Sequence, residues 1–279
     1  MNSVAGKVAF ITGAARGQGR SHAIELAKAG ADIIAVDIAH DLPELGLGYP
    51  LGSAEELAQT AKEVEALDRR IVTAQVDVRD AEGLANAVEQ GVAEFGRLDI
   101  VAANAGIAAS PVPAHEITEE RWTQMIDINL TGVWKTVRAT VPHLIAGGNG
   151  GSIILTSSMA ALRVYQGIAA YSAAKHGLVG LMKTVAAELA PHSIRVNTVH
   201  PTQVDTPMVM NEELFKIFRP DLTNPIREDF LAASASLHAL PVAVAEPVDI
   251  SKALVFLASD DARLITGLAL PIDAGLLLK

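Results

Sequence analysis

At 279 residues, half of them apolar, the chain is long enough to bury a full core within one large α/β domain. A net charge of −10 argues against nucleic acid or an anionic membrane surface as a partner, and the lack of cysteine excludes disulfides, thiolate metal sites and cysteine nucleophiles. No apolar run approaches the ~20 residues of a bilayer span, Met1–Lys7 has no signal-peptide profile, and the eight histidines show no metal-ligand spacing, so a soluble, cytoplasmic, metal-free protein is expected.

The first apolar run, Lys7–Thr12, reads as a strand that ends at Gly13-Ala14-Ala15-Arg16-Gly17-Gln18-Gly19, with a helix from about Arg20 to Ala29. Strand, glycine turn and helix N-terminus form an anion site, because free backbone amides and the helix dipole point outward there. Gly13, Gly17 and Gly19 would let the backbone turn tightly and approach a pyrophosphate. A second strand, Asp32–Val36, ends at Asp37, 18 residues beyond Gly19, where a ribose-binding acid belongs. Arg16 suits the 2′-phosphate of NADP, whereas Asp37 accepts from the ribose hydroxyls of NAD and repels a phosphate. The strand-end position of Asp37 is fixed while Arg16 is long and free to reach solvent, so NAD is favoured over NADP.

His40–Gly52 carries two prolines and three glycines and reads as a loop, followed by a capping box, Ser53 to Glu56, that opens a helix over about Ala54–Leu67. Strand three, Ile71–Val76, ends at Asp77-Val78, where Asp77 meets an adenine or faces solvent. A helix over Asp80–Phe95 leads to strand four, Ile100–Ala103, and then Asn104-Ala105-Gly106. A long helix from Thr118 to about Ile145 holds Asn129, an unfavourable interior residue that is either exposed or placed at a kink. Trp122 and Trp134 on this helix read as packing residues, in the core or an interface. Strand five, Ser152–Thr156, ends at Ser157-Ser158, and strand six, about Ile194–Val199, ends at His200-Pro201. Residues 202–240, broken by Pro220 and Pro225, fit a mobile flap with one or two short helices. A helix over Pro247–Ala258 and a strand over Leu268–Ile272 close the chain. Strands alternating with helices throughout predict a single α/β Rossmann domain over 1–279, with a doubly wound parallel sheet of about seven strands and helices on both faces.

Between strands five and six lies Ala170-Tyr171-Ser172-Ala173-Ala174-Lys175, opening a helix that runs to about Ala190. Tyr171 and Lys175 share one helical face, a turn apart. An ammonium about 4 Å from a phenol contributes on the order of 4 kcal/mol at an effective dielectric of about 20, roughly three pKa units, which would bring the phenol near neutrality, where proton transfer is efficient. The pair alone is weak, since the same spacing often marks a solvated face.

The glycine loop, Asn104-Ala105-Gly106, Asn129, Ser158, Tyr171 and Lys175, all in order between Lys7 and Gly275, resemble the short-chain dehydrogenase/reductase family. The resemblance implies that Tyr171 is the acid/base, that Lys175 lowers its pKa and binds the nicotinamide ribose, that Ser158 orients the substrate oxygen, and that Asn129 holds the water of a proton relay. The cofactor-facing set is then Gly13, Arg16, Gly17, Gln18, Gly19, Asp37, Ile38, Asp77, Val78, Asn104, Ala105, Gly106, Thr156, Tyr171, Lys175, Pro201, Val204 and Thr206, with Ser158, Met159, Ile168, Tyr171 and Met208 towards the substrate. It also implies a homotetramer built on the Tyr171 and Asn129 helices. Ile11–His22, with Gln18 where the family usually has an aliphatic residue, the long loop after Asp37, and Lys175–Leu178 resemble a carveol-dehydrogenase-like branch linked to the redox cofactor mycofactocin. That likeness implies tightly held NAD, electrons leaving through an external carrier, and residues 40–52 lying over the adenosine half; a surface loop of no consequence is the alternative. Thr202, in place of a common glycine, leaves the backbone after Pro201 open.

The expected reaction is hydride transfer between NAD and a secondary alcohol or its ketone. Pocket segments offer Ala108, Ala109, Met159, Ala160, Val164, Ile168, Val204, Met208, Val209 and Leu214, with Arg163 the main charge, which suits an uncharged, cyclic or terpenoid-like alcohol. The same residues equally suit a core. Rival readings are a freely exchanging NAD dehydrogenase, an epimerase or dehydratase on this scaffold, and a non-catalytic NAD-binding sensor.

Overall fold

The computed structural model describes residues 3–279, so the reading of Met1 and Asn2 as part of a leaderless N-terminus lies outside the described residues. Seven parallel strands run in the order β3-β2-β1-β4-β5-β6-β7: β1 Val8–Thr12, β2 Asp32–Asp37, β3 Ile71–Gln75, β4 Ile100–Ala103, β5 Gly151–Thr156, β6 Ile194–Pro201 and β7 Ala269–Ile272. Side chains alternate across the sheet, as the pleat requires. Ala9, Ile11, Ile33, Ala35, Ile100 and Ile154 pack on one face with Leu26, Leu57 and Leu254. Phe10, Ile34, Val36, Val101, Ile153 and Leu155 pack on the other with Leu84, Val137 and Met182. Both faces being covered, the central strands read as continuous apolar runs.

The first face is covered by α1 (Gly17–Lys28), α2 (Ala54–Glu65) and α9 (Pro247–Ala258); the second by α3 (Ala81–Phe95), α5 (Gly132–Gly147) and α6 (Ala169–Leu189). α4 spans Glu119–Ile126, while α7 (Glu212–Phe218) and α8 (Arg227–Ala235) lie in the segment after β6. The capping box forms at α2, where Ser53 Oγ accepts from the Glu56 amide at 3.2 Å and Glu56 accepts from the Ser53 amide at 3.0 Å. Asp80 caps α3 through the amides of Glu82 and Gly83.

Two expectations change. α1 begins at Gly17 rather than Arg20, so the glycine turn is itself the first helical turn. The long helix over Thr118–Ile145 divides into α4 and α5 around a π-helical turn, Asp127–Thr131, in which the Gly132 amide bonds Asp127 O. Asn129 is therefore buried at a π-bulge and is not exposed. Trp122 and Trp134 are exposed, which removes them from the core of the chain. Among the described residues no helix is long and apolar enough to cross a membrane.

Candidate active site

The strand order reverses between β1 and β4, and there a cleft of about 430 Å³ opens at the carboxyl ends of the strands. Gly13 and Gly17 line it with φ of 70° and 55°, conformations that side chains resist. A Cβ at Gly13 would stand 2.9 Å from Ala105 Cα. Gly19 does not line the cleft. It faces Gly13, whose carbonyl oxygen a Cβ would strike, so its contribution is close helix–strand packing rather than contact with a pyrophosphate. Asn104 is held by Thr12 through its backbone amide at 3.0 Å and its side-chain amide at 3.1 Å. The Gln18 Oε1 atom, buried at the cleft, has no protein partner.

At the end of β2 the buried Asp37 carboxylate accepts from the amides of Ala15 and Ala39, both at 2.9 Å. These bonds fix its direction and leave lone pairs for two hydroxyls. A Cβ at Gly52 would lie 3.0 Å from Asp37 Oδ1, so the 40–52 segment closes over this acid. Arg16 does not run free to solvent: its guanidinium donates to Pro50 O and stands 4.0 Å from Glu56. Asp77 is also engaged, by Arg79 at 2.6 Å, which holds its carboxyl below the usual range although burial acts in the opposite direction.

Residues 40–52 form a strap, with a short 3-10 turn at Pro43–Leu45. Leu42, Leu47, Tyr49, Leu51 and Gly52 line the cleft, and Leu45 and Leu47 are buried in an apolar cluster with Val78, Ile107, Met125, Ile128 and Ala170. The Tyr49 hydroxyl donates to Ala108 O at 3.0 Å and accepts from Ala108 N at 2.9 Å. Gly48 packs beneath Glu213 of α7, and Glu213 also accepts from Ser110. The strap thus bridges the loop after β4 and helix α7.

At the far end of the cleft α6 presents Tyr171 and Lys175. The Lys175 Nζ donates to Thr156 O at 2.9 Å and lies 5.6 Å from the Tyr171 ring centroid. Ser158 Oγ accepts from the Ala160 amide at 3.1 Å, leaving its hydrogen to donate to the Tyr171 phenol. Asn129 Oδ1 accepts from Ile107 N at 3.0 Å, while Nδ2 donates to Ile107 O and Met125 O, so its amide clamps the π-turn to the loop after β4. A Cβ at Gly106 would stand 2.6 Å from Asn129 Oδ1 and 3.4 Å from Lys175 Nζ, which explains a glycine between them.

The electrostatics correct the expectation for Tyr171. Burial pushes its phenol up, and the hydrogen bond from Ser158 pulls it only partly back. Burial also brings the Lys175 ammonium down to about 8. Desolvation costs both charged forms here, and it outweighs the attraction expected from helical spacing alone. The protein's own groups leave the phenol protonated.

Every other expected cofactor and catalytic residue lines this one cleft, as do Met159, Ile168 and Met208. Val164 does not; its side chain is 90% exposed. Arg163 turns away, donating to Leu276 O at 3.0 Å. Thr202 continues the chain from β6 without a glycine: its amide bonds Ile272 O at 3.1 Å and its hydroxyl meets His238 at 2.8 Å. Sequence reasoning missed the strap residues Leu42, Leu47, Tyr49 and Leu51, and also Tyr165, Gln166, Gln203 and Glu213. The apolar positions Leu45, Leu47, Tyr49 and Leu51 alternate, which was the available signal for an extended segment with one buried face.

A family model described as short chain dehydrogenase matches residues 7–216. The chain belongs to the short chain dehydrogenase family. Within that family it is 59% identical, over the full length of both chains, to a (-)-trans-carveol dehydrogenase of Rhodococcus erythropolis. The crystal structure of a carveol dehydrogenase from Mycobacterium avium in complex with NAD superposes with a TM-score of 0.98 at 57% identity, covering all of both chains. A short chain dehydrogenase from Mycobacterium paratuberculosis bound to NAD gives a TM-score of 0.90 at 47% identity, covering 99% of this chain and all of that one.

Proposed function

We propose that this chain is an NAD-dependent oxidoreductase that interconverts an apolar, cyclic secondary alcohol of the carveol type with its ketone. The observation that carries the reading is the meeting of Ser158, Tyr171 and Lys175 at the inner end of a cleft whose outer half offers glycine turns and a directed carboxylate. End-to-end similarity to a carveol dehydrogenase supports the substrate class.

The residues present fit a dinucleotide. Gly13 and Gly17 at the α1 N-terminus would hold its diphosphate, Asp37 its adenosine ribose, and Lys175 its nicotinamide ribose. Closure of Gly52 over Asp37, with Arg16 tied to Pro50, favours NAD over NADP. When bound, the oxidised nicotinamide supplies a hydride acceptor and a positive charge. Tyr171 then loses its proton more readily and takes the hydroxyl proton of the alcohol as the hydride leaves the carbinol carbon. Ser158 donates to the same oxygen, stabilising the charge that develops there. Lys175 and the Asn129 turn lie behind Tyr171, where a relay would carry the proton out. Ala109, Met159, Ile168, Met208 and Leu214 exclude water from the reacting atoms.

The strap supports tightly held NAD, re-oxidised in place by an external carrier such as mycofactocin. The family's tetramer is the proposed assembly. Gently purified protein is expected to carry NAD detectable by mass spectrometry, to oxidise carveol with an artificial electron acceptor, and to do so poorly with free NAD. Fast exchange of added NADH would refute retention; failure to oxidise any cyclic secondary alcohol under either regime would refute the activity.

A further inference from the structure

Thr156, Ser157 and Ser158 leave β5 in succession, and each is tied to the catalytic lysine or to β6. Lys175 Nζ donates to Thr156 O at 2.9 Å, and Ser157 Oγ donates to Lys175 O at 3.0 Å. The Ser158 carbonyl accepts twice, from the Ala161 amide at 3.0 Å and from His200 Nδ1 at 2.9 Å. His200 is fully buried at the end of β6, two residues before Thr202 and the cleft wall, and its Nε2 lies 2.8 Å from the Thr198 hydroxyl on the same face of the strand.

The tautomer follows from the partners. A carbonyl oxygen can only accept, so Nδ1 carries the ring hydrogen, and Nε2 is the lone pair that accepts from Thr198. Burial, helped by the nearby charge of Lys175, keeps the ring below its ordinary pKa against the opposing pull of the Ser158 carbonyl. His200 is therefore a neutral group with both ring nitrogens engaged.

Resting on the alcohol chemistry proposed above, we propose that His200 is a positioning residue for the reaction. Its Nδ1–H fixes the Ser158 backbone from which the serine hydroxyl is aimed at the substrate oxygen. A buried histidine with two partners can serve packing alone. Here one partner is the main chain of the residue assigned to the substrate oxygen, two residues past the end of β5, the strand neighbouring its own. The Ala161 amide would still satisfy the Ser158 carbonyl if His200 were lost, so the fold survives while the direction of the serine relaxes. Misplacement of a reacting group by about 1 Å can cost on the order of 10²-fold.

The test separates the two ring nitrogens. In His200→Asn the amide nitrogen stands near the place of Nδ1 and still donates to Ser158; in His200→Gln the amide reaches Thr198 instead and the Ser158 contact is lost. Single-turnover hydride transfer is expected to stay within about threefold for Asn and to fall about ten- to a hundredfold for Gln, with equal thermal midpoints and equal NAD affinity. Placed in a Ser158→Ala background, His200→Gln is expected to cost nothing further. Equal rates for Asn and Gln, or a Gln loss that persists without the serine hydroxyl, would overturn the proposal. Nitrogen NMR of the imidazole in the wild-type protein supplies a readout apart from activity: the neutral Nδ1–H form is expected, and an Nε2–H form overturns the contact. A wild-type chain that oxidises no alcohol would sink the proposed function yet leave the tautomer measurement standing.

Discussion

Tyr49→Phe isolates the closure of the strap. The phenol makes two bonds to one residue, donating to Ala108 O at 3.0 Å and accepting from Ala108 N at 2.9 Å, while the ring packs against the apolar cluster that holds Leu45, Leu47 and Ile107. Phenylalanine keeps the ring and removes both bonds, leaving the Ala108 amide and carbonyl without that partner. An orphaned buried polar group costs about 1–3 kcal/mol. The Ala108 groups are only partly buried, so we take the low end, about 1–2 kcal/mol in all, all of it lost from the closed state. At 1.4 kcal/mol per factor of ten, the population of the open strap rises about five- to thirtyfold. If release of NADH must await opening, its rate rises by the same factor. Stopped-flow fluorescence with bound NADH chased by excess NAD measures it directly. An unchanged dissociation rate, with the variant folded, would refute the reasoning, since the strap would then open by a route that does not break this contact.

Tyr171→Phe is expected to lower single-turnover hydride transfer by about 10²–10⁴-fold with NAD affinity retained; near-normal transfer would reject the acid/base role. Asp37→Ser is expected to weaken NAD about tenfold without creating a preference for NADP, because Arg16 stays bound to Pro50 and near Glu56. Isothermal titration that shows NADP preferred in the single variant would contradict this. Burial brings Lys175 down to about 8, against ~10.4 in the unfolded chain, so the folded state carries the full cost of a buried cation below about pH 8 and sheds it as pH rises to about 10. Lys175→Met, without NAD, is therefore expected to gain about 2 kcal/mol at neutral pH. That is about 3 from the shift less about 1 for the Thr156 carbonyl it orphans, and the gain shrinks at alkaline pH. Denaturant titrations giving the same difference at both pH values would refute it.

The centre of the sheet was legible because both its faces are covered, which writes β1, β4 and β5 around apolar runs that end at a turn residue. Local chemistry wrote the helix starts as plainly: Ser53 and Asp80 cap the helices they were expected to open. The π-turn at Asn129 was legible only as a kink, offered beside plain exposure, since one extra backbone residue per turn leaves the apolar pattern on either side intact. The strap was not legible. Its prolines and glycines signal a break in regular structure, and a break says nothing of where the segment lies. Its docking depends on Val78, Ile107 and Ile128, distant in sequence, though the alternation from Leu45 to Leu51 recorded a buried face. The nearness of Tyr171 and Lys175 was readable from spacing. The sign of the phenol's shift was not, because desolvation depends on everything packed around the pair.

That sign has a consequence for how the site changes between base and acid. Burial raises the Tyr171 phenol and lowers the Lys175 ammonium, so the folded chain alone holds a protonated phenol beside a weakened cation. One further positive charge is needed to release the proton, and a nicotinamide carries one only when oxidised. Tyr171 should then be a base when an alcohol awaits oxidation and an acid when a ketone awaits reduction, the proton following the hydride in either direction. The chain suits a direct measurement, for it has three tyrosines. The other two, Tyr49 and Tyr165, are pushed up, chiefly by burial. Ultraviolet difference titration, with Tyr171→Phe as the blank, is expected to show one phenol ionising at lower pH with NAD bound than with NADH bound. Equal titration in the two complexes would mean that the charge of the nicotinamide does not reach the phenol, and that some other group of the chain must set its acidity.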